Sequence, residues 1–131
     1  MKPMETADLL RQFFADDPHR VDVAYLFGSR ARGTSGVRSD VDVGVLYPEA
    51  PPPTFEGLPL ALEADLENRF GLPVEVVVLN RAPVDLRHRV LRDGILVLDR
   101  NPSLRIRFEV QTRNEYFDLE PILKVYRKLR S

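Results

Sequence analysis

Between two short apolar runs the chain carries a glycine–serine pair, ten residues, and then two aspartates one residue apart. The stretch reads Phe27-Gly28-Ser29-Arg30-Ala31-Arg32-Gly33-Thr34-Ser35-Gly36-Val37-Arg38-Ser39-Asp40-Val41-Asp42-Val43. The run before it, Val21 to Phe27, alternates Val21, Val23 and Tyr25 with Asp22 and Ala24, the period of a strand. The run after it, Val41 to Tyr47, reads as a second strand. Side chains two apart on a strand project to the same side, so Asp40 and Asp42 face one way and can share a pair of divalent ions. Two Mg²⁺ about 3.5–4 Å apart stabilise both the attacking and the leaving oxygen in phosphoryl transfer. A Gly-Ser turn at the end of the first strand lets backbone N–H groups approach a phosphate. Ser29 adds a hydroxyl donor there, and Arg30 and Arg32 are candidates to neutralise phosphate charge.

Composition narrows the chemistry to carboxylates. Among 131 residues there is no cysteine and there are two histidines, His19 and His88. Disulfides, thiolate sites and cysteine nucleophiles are excluded, and a multi-histidine zinc site is disfavoured. Aspartate and glutamate oxygens suit Mg²⁺. The net charge of −1 gives no overall attraction for nucleic acid, so no direct nucleic-acid binding is expected. The positive charge is uneven, with sixteen arginines against three lysines, and Arg30, Arg32 and Arg38 gather around the glycine-rich loop. No apolar run approaches membrane-spanning length, and Met1 to Glu5 carries no signal-like apolar region. A cytoplasmic protein without membrane contact is the expectation.

The remaining elements follow from periodicity. Leu9, Leu10, Phe13 and Phe14 mark a helix from about Pro3 to Ala15, ended by Asp16-Asp17-Pro18. Pro48 to Pro53 is a stiff loop unsuited to a sheet interior. Leu58, Leu62, Leu66 and Phe70 fall four apart on one helix face, and Gly71 stops that helix. Val74 to Leu79 reads as a buried strand, Pro83 to about Arg92 as a short helix, and Ile95 to Leu98 as a last, edge strand. Pro102 starts a long C-terminal helix in which Pro121 is expected to make a kink or a division. The order predicts one α/β domain over residues 1–131: a mixed sheet flanked by helices, with a helical segment from about 102 to 131.

Glu75 interrupts the apolar run Val74-Glu75-Val76-Val77-Val78-Leu79. Burying an unpaired carboxylate costs on the order of several kcal/mol. A metal ion or a general-base role would account for it, and Glu75 is the candidate base for an acceptor hydroxyl. The plain alternative is an edge-strand residue facing water. Two rival motifs fail on inspection. A calcium loop begun at Asp40 would need Glu at its twelfth position, where Pro51 stands. A phosphate loop begun at Gly28 would need Lys after Gly33, where Thr34 stands. His88, Tyr116, Phe117 and Tyr126 read as packing or solvated residues, the aromatic ones also as a candidate partner face.

The Gly28-Ser29, Asp40-x-Asp42 and Glu75 pattern resembles the nucleotidyltransferase superfamily of the DNA polymerase β type, and the short chain its minimal branch, the MNT or MntA-like antitoxins. The resemblance implies a polymerase β-like fold in which Gly28 and Ser29 hold the triphosphate. It implies that Asp40 and Asp42 bind two Mg²⁺ ions and that Glu75 is the third carboxylate. ATP would then be the substrate, AMP the transferred group, and a HEPN-domain toxin the partner and protein acceptor. Two other readings stay open: a non-catalytic module that covers the toxin, and a small-molecule nucleotidyltransferase of the aminoglycoside-modifying kind.

Overall fold

The computed structural model describes residues 2–16, 19–34 and 40–130. Asp17, Pro18 and the loop positions Ser35 to Ser39, Arg38 among them, lie outside the described residues. Helix α1 is Pro3–Ala15, followed by strand β1 at Val23–Phe27, a one-turn helix α2 at Ser29–Arg32 and strand β2 at Val41–Leu46. Helix α3 is Leu60–Phe70, β3 Val74–Val78, α4 Val84–Asp93, β4 Ile95–Asp99 and α5 Pro102–Arg130. Short 3₁₀ turns lie at Phe55–Gly57 and Leu79–Arg81.

The four strands form one mixed sheet in the order β3-β2-β1-β4. Strand β1 runs antiparallel to both β2 and β4, whereas β2 and β3 are parallel. Strand alternation gives the sheet two apolar faces. On one, Ala24, Leu26, Val41, Val43, Val45 and Val76 pack with Leu10 and Phe14 of α1 and Leu62 and Leu66 of α3. On the other, Val23, Tyr25 and Leu46 pack with Val90 of α4 and Phe108 of α5. Asp42 and Glu75 fall between valines that point to the first face, so both project to the second, beside α4.

Four expectations from the sequence change in detail. Strand β3 is an edge strand and not an enclosed one, because the parallel crossover through α3 leaves its outer side without a neighbour. Its Val76 N–H instead donates to Glu63 Oε1 of α3 at 3.1 Å, which blunts the edge. Leu58 lies outside the helix that its spacing suggested and is 48% exposed, because Gly57 and Pro59 on either side favour a turn. The glycine-rich loop contains the unforeseen helix α2, ended by Gly33 in the left-handed conformation. Finally, Pro121 does not divide the last helix: α5 is continuous through it. The proline withdraws a single intrahelical donor, and good helix formers on either side carry the helix across.

Buried and half-buried polar contacts fix α5 and α4 against the sheet. Asn101 caps α5, accepting from the Leu104 N–H at 3.2 Å. The Tyr25 hydroxyl donates to Glu109 at 2.8 Å, and Arg105 donates to both Asp99 and Glu109, at 2.7 and 3.0 Å. Arg87 of α4 donates to Thr112 and Glu115 of α5 at 3.2 and 2.5 Å. Beyond Thr112 no residue of α5 is buried, so its second half projects from the sheet. Among the described residues no helix is long and apolar enough to cross a membrane.

Replacing Pro121, which is exposed, by alanine restores the missing donor and removes a penalty of up to about 3 kcal/mol. Pro121→Ala is expected to slow amide exchange across the last two turns of α5 while the core strands exchange as before. Unchanged exchange there would mean that the proline costs the helix nothing.

Candidate active site

The carboxylates meet because of strand register. Asp42, the second residue of β2, lies opposite Phe27 of β1 and Glu75 of β3. Register partners in a parallel pair project to the same side, so Asp42 and Glu75 stand side by side on the face that carries α4. A cavity of about 480 Å³ opens above them. Its floor is Phe27, Asp42, Glu75 and Val77. One wall is Gly28, Ser29 and Arg32, and the other is Leu86, Arg89 and Asp93 of α4. A larger hollow of about 760 Å³ lies elsewhere, lined by His19, Arg20, Tyr47 and the proline loop. It contains none of the paired carboxylates, so chemistry and not size singles out the cleft on β2.

Gly28 is where β1 turns into α2, with φ +73° and ψ −159°. This is backbone that essentially only glycine adopts. A Cβ added there would overlap the Asp42 carboxylate and also press on Asp42 Cγ and Cβ, at 3.1 and 3.3 Å. Rotating the aspartate would therefore not clear it. The glycine lets the turn lie directly against Asp42. Ser29, as the first residue of α2, has a backbone N–H with no intrahelical acceptor, and its side chain lines the cleft.

The electrostatics are unbalanced. Partial burial, then the charges of Glu75 and Asp40, hold the Asp42 carboxyl above its ordinary range, and Arg32 opposes them. Asp40 is exposed, immediately precedes β2 and is not among the cleft-lining residues, but its charge reaches Asp42. Among the described residues no three His, Cys, Asp or Glu side chains are drawn into a ready-made ion site. Asp42 instead lies in the negative fields of both Glu75 and Asp40. Such a set of hard oxygen donors, with excess negative charge that a cation would relieve, fits a divalent ion of the magnesium class.

Not every candidate joins the cleft. Arg30 is 2% exposed and is not among the cleft-lining residues. The phosphate contact expected for it has no support from this placement, because one turn of α2 directs Arg30 inward while Arg32 stays exposed at the opening. Glu75 is exposed, so the burial argument that first drew attention to it does not hold. Its register with Asp42 is what brings it to the site. His88 stacks on Tyr116 with ring centroids 3.5 Å apart, on the α5 side of α4.

Arg89 and Asp93 were not singled out from the sequence. With Leu86 they fall at i, i+3 and i+7, one stripe of a helix. Arg87 and Arg92, on the same short helix, look equivalent until it is known which side faces the sheet.

The family described as polymerase beta, nucleotidyltransferase, matches residues 9–103. No curated protein matches the chain. Solved structures do. A toxin–antitoxin complex with AMP-PNP aligns over 95% of this chain and 98% of its own at 21% identity, with a TM-score of 0.77. The tri-AMPylated Shewanella oneidensis HEPN toxin in complex with MNT antitoxin aligns over 98% of this chain and 99% of its own at 18% identity, with a TM-score of 0.72. A structure described as a minimal nucleotidyltransferase aligns over 72% of this chain and 95% of its own at 29% identity, with a TM-score of 0.50. At these identities the structural likeness establishes a shared fold.

Two substitutions test the geometry through stability alone. Gly28→Ala is expected to cost about 1–3 kcal/mol from backbone strain, with the clash against Asp42 added, in chemical denaturation. Asp42→Asn is expected to raise the melting temperature at pH 7. A carboxyl raised in the folded state costs stability above its folded pKa, and the cost fades as pH falls through that value. The gain should therefore be absent below the ordinary 3.8. A destabilised Asp42→Asn variant at pH 7 would refute the repulsive cluster.

Proposed function

The chain belongs to the polymerase β nucleotidyltransferase family, and from that premise we propose that it transfers AMP from ATP to a hydroxyl of a protein acceptor, with Mg²⁺ held by Asp40, Asp42 and Glu75. The observation that carries the reading is the register of Asp42 against Glu75 directly beneath the Gly28-Ser29 turn. Two carboxylates with a third close by, facing a turn that permits close backbone approach, are the parts that phosphoryl transfer requires.

In this reading the Gly28-Ser29 turn holds the phosphate tail through the Ser29 hydroxyl and backbone N–H, and Arg32 adds positive charge at the same wall. Bound Mg²⁺ would supply neutralisation of the charge that develops on the phosphate oxygens. Glu75, exposed at the cleft edge, accepts the proton of the acceptor hydroxyl. The freed oxygen forms a bond to the α-phosphorus, and the bond from that phosphorus to pyrophosphate breaks. Phe27 and Val77 on the floor and Leu86 on the α4 wall limit water at the site. That matters because water would otherwise compete with the acceptor.

The proposed acceptor and partner is a HEPN-domain toxin, with this chain as its antitoxin. Toxin–antitoxin complexes share its fold over nearly the whole chain, and in one of them the HEPN toxin is AMPylated. The chain's own support lies in α5. Ile122, Val125, Tyr126 and Leu129 recur at i, i+3, i+4 and i+7 and are all more than half exposed. Such a stripe is the anchor pattern of a helix that docks in a groove, and Lys124, Arg127, Lys128 and Arg130 lie among these residues.

Incubation with a HEPN protein, ATP and Mg²⁺ is expected to add AMP to that protein, read as intact mass. Asp40→Asn and Asp42→Asn should abolish the addition without unfolding the chain. Glu75→Gln, which keeps shape and removes charge, should slow it by about 10²–10⁴-fold with ATP affinity little changed. No added mass, together with equal neutralisation of the toxin by Asp40→Asn, would overturn catalysis in favour of a covering module.

A further inference from the structure

The three arginines of α4 occupy different surroundings. Arg87 is committed to α5, bonded to Thr112 and Glu115 and to the Ala82 carbonyl. Arg92 is committed to Asp93 through two bonds of 3.1 and 2.9 Å. Arg89 lines the cleft and makes no hydrogen bond or ion pair with the described residues. Arg32 lines the opposite wall, likewise exposed and likewise without such a partner. The Asp93 carboxylate, also in the cleft lining, is held below its ordinary range first by its bond to Arg92, and also by the charges of Arg32 and Arg89. Both guanidiniums line the same cleft as the Gly28-Ser29 turn.

Two guanidiniums lining one cavity, neither hydrogen-bonded nor ion-paired to the described residues, are suited to an anion with several oxygens. Guanidinium forks match phosphate geometry and keep their charge at any working pH. The carboxylates of Asp42 and Glu75 exclude an anion from the floor beside them unless cations intervene. An anion in the cleft is drawn instead to Arg32 and Arg89, the charge of the nearby Asp93 being offset by its pairing with Arg92. We propose that Arg89 is a substrate-binding residue that grips the β- and γ-phosphates, the pyrophosphate leaving group, from the α4 wall opposite Arg32. This rests on the nucleotidyl-transfer reading and extends it. Neutralising charge that builds on the departing pyrophosphate assists cleavage as well as binding.

The test titrates inorganic pyrophosphate, AMP and ATP, each separately, into the full chain with Mg²⁺ present, by calorimetry. Arg89→Ala is expected to weaken pyrophosphate by about tenfold or more, the loss of one charge-assisted hydrogen bond, and to leave AMP within about twofold. Arg89→Lys should recover part of the loss. Arg113→Ala, the same charge change in the separate groove between α4 and α5, should alter neither ligand. Equal pyrophosphate affinity in Arg89→Ala and wild type would overturn the assignment while leaving nucleotidyl transfer standing. An AMP loss as large as the pyrophosphate loss would also overturn it, placing Arg89 on the α-phosphate or the nucleoside. If the wild-type chain binds neither pyrophosphate nor ATP, the nucleotidyl-transfer reading falls and Arg89 falls with it.

Discussion

The close approach of the Gly28 backbone to the Asp42 carboxylate organises everything around the cleft. Strand β1 must end, reverse and start α2 within a residue or two, and it must do so against an aspartate on the neighbouring strand. Only a residue without Cβ permits both the positive φ and the contact. Once that contact is made, Ser29 and Arg32 occupy the near wall and Asp42 is fixed in the floor. The register of β2 with β3 then brings Glu75 beside it. A one-residue slip of β3 would send Glu75 into the face packed by α1 and α3, where valines now lie. The apolar alternation that builds the core is thus the same feature that aligns the carboxylates.

That alignment is unfavourable for the isolated fold. Asp42 is held above its ordinary pKa by partial burial and by two neighbouring negative charges. The surrounding structure resists the repulsion through apolar packing on both sheet faces and through the bonds from Arg87 to α5. Arg87 has a second consequence, because anchoring α4 fixes the far wall of the cleft. The spacing between Arg89 and Arg32 is therefore set by packing remote from either of them.

The elements that sequence reasoning placed well are those governed by a single period. Helix α1 has the boundaries that its apolar stripe suggested, and β1 to β4 lie where alternation and β-branching put them. The Gly-Ser turn and Asp42 were legible from the motif and meet in the cleft, whereas Asp40 precedes β2 and does not line the cleft, so strand geometry does not fix its direction. What escaped notice required knowing which elements meet. For Glu75 the sequence left burial and a water-facing edge strand both open, and the sheet order decides for the edge. Arg30 and Arg32 are alike in sequence and opposite in burial, because one turn of α2 separates them by about a half-circle. Arg89 could not be told from Arg87 or Arg92 until α4 was oriented. Pro121 does not divide α5 because eight or more helical residues on each side outweigh the one missing donor.

The two halves of α5 impose different demands. The first half is held to the sheet by Phe108, Thr112 and the Tyr25–Glu109–Arg105 cluster. The second half carries Phe117 and Leu129 at 77% and 79% exposure without packing on the described residues. Fully covering an apolar side chain is worth about 1.5–3 kcal/mol, and a partner that covers several of them gains this with little ordering cost on this side, since the helix is already formed. The cleft, for its part, is lined by residues of β1, α2, β2, β3 and α4 and of the Gly28 turn. A partner gripped by the far half of α5 is therefore held by one rigid element whose near half is bonded to α4, the cleft wall itself. Docking and chemistry would then share a single frame, so that seating the acceptor on α5 also sets its approach to Asp42 and Glu75. Orientation of this kind can replace part of the cost of a bimolecular encounter.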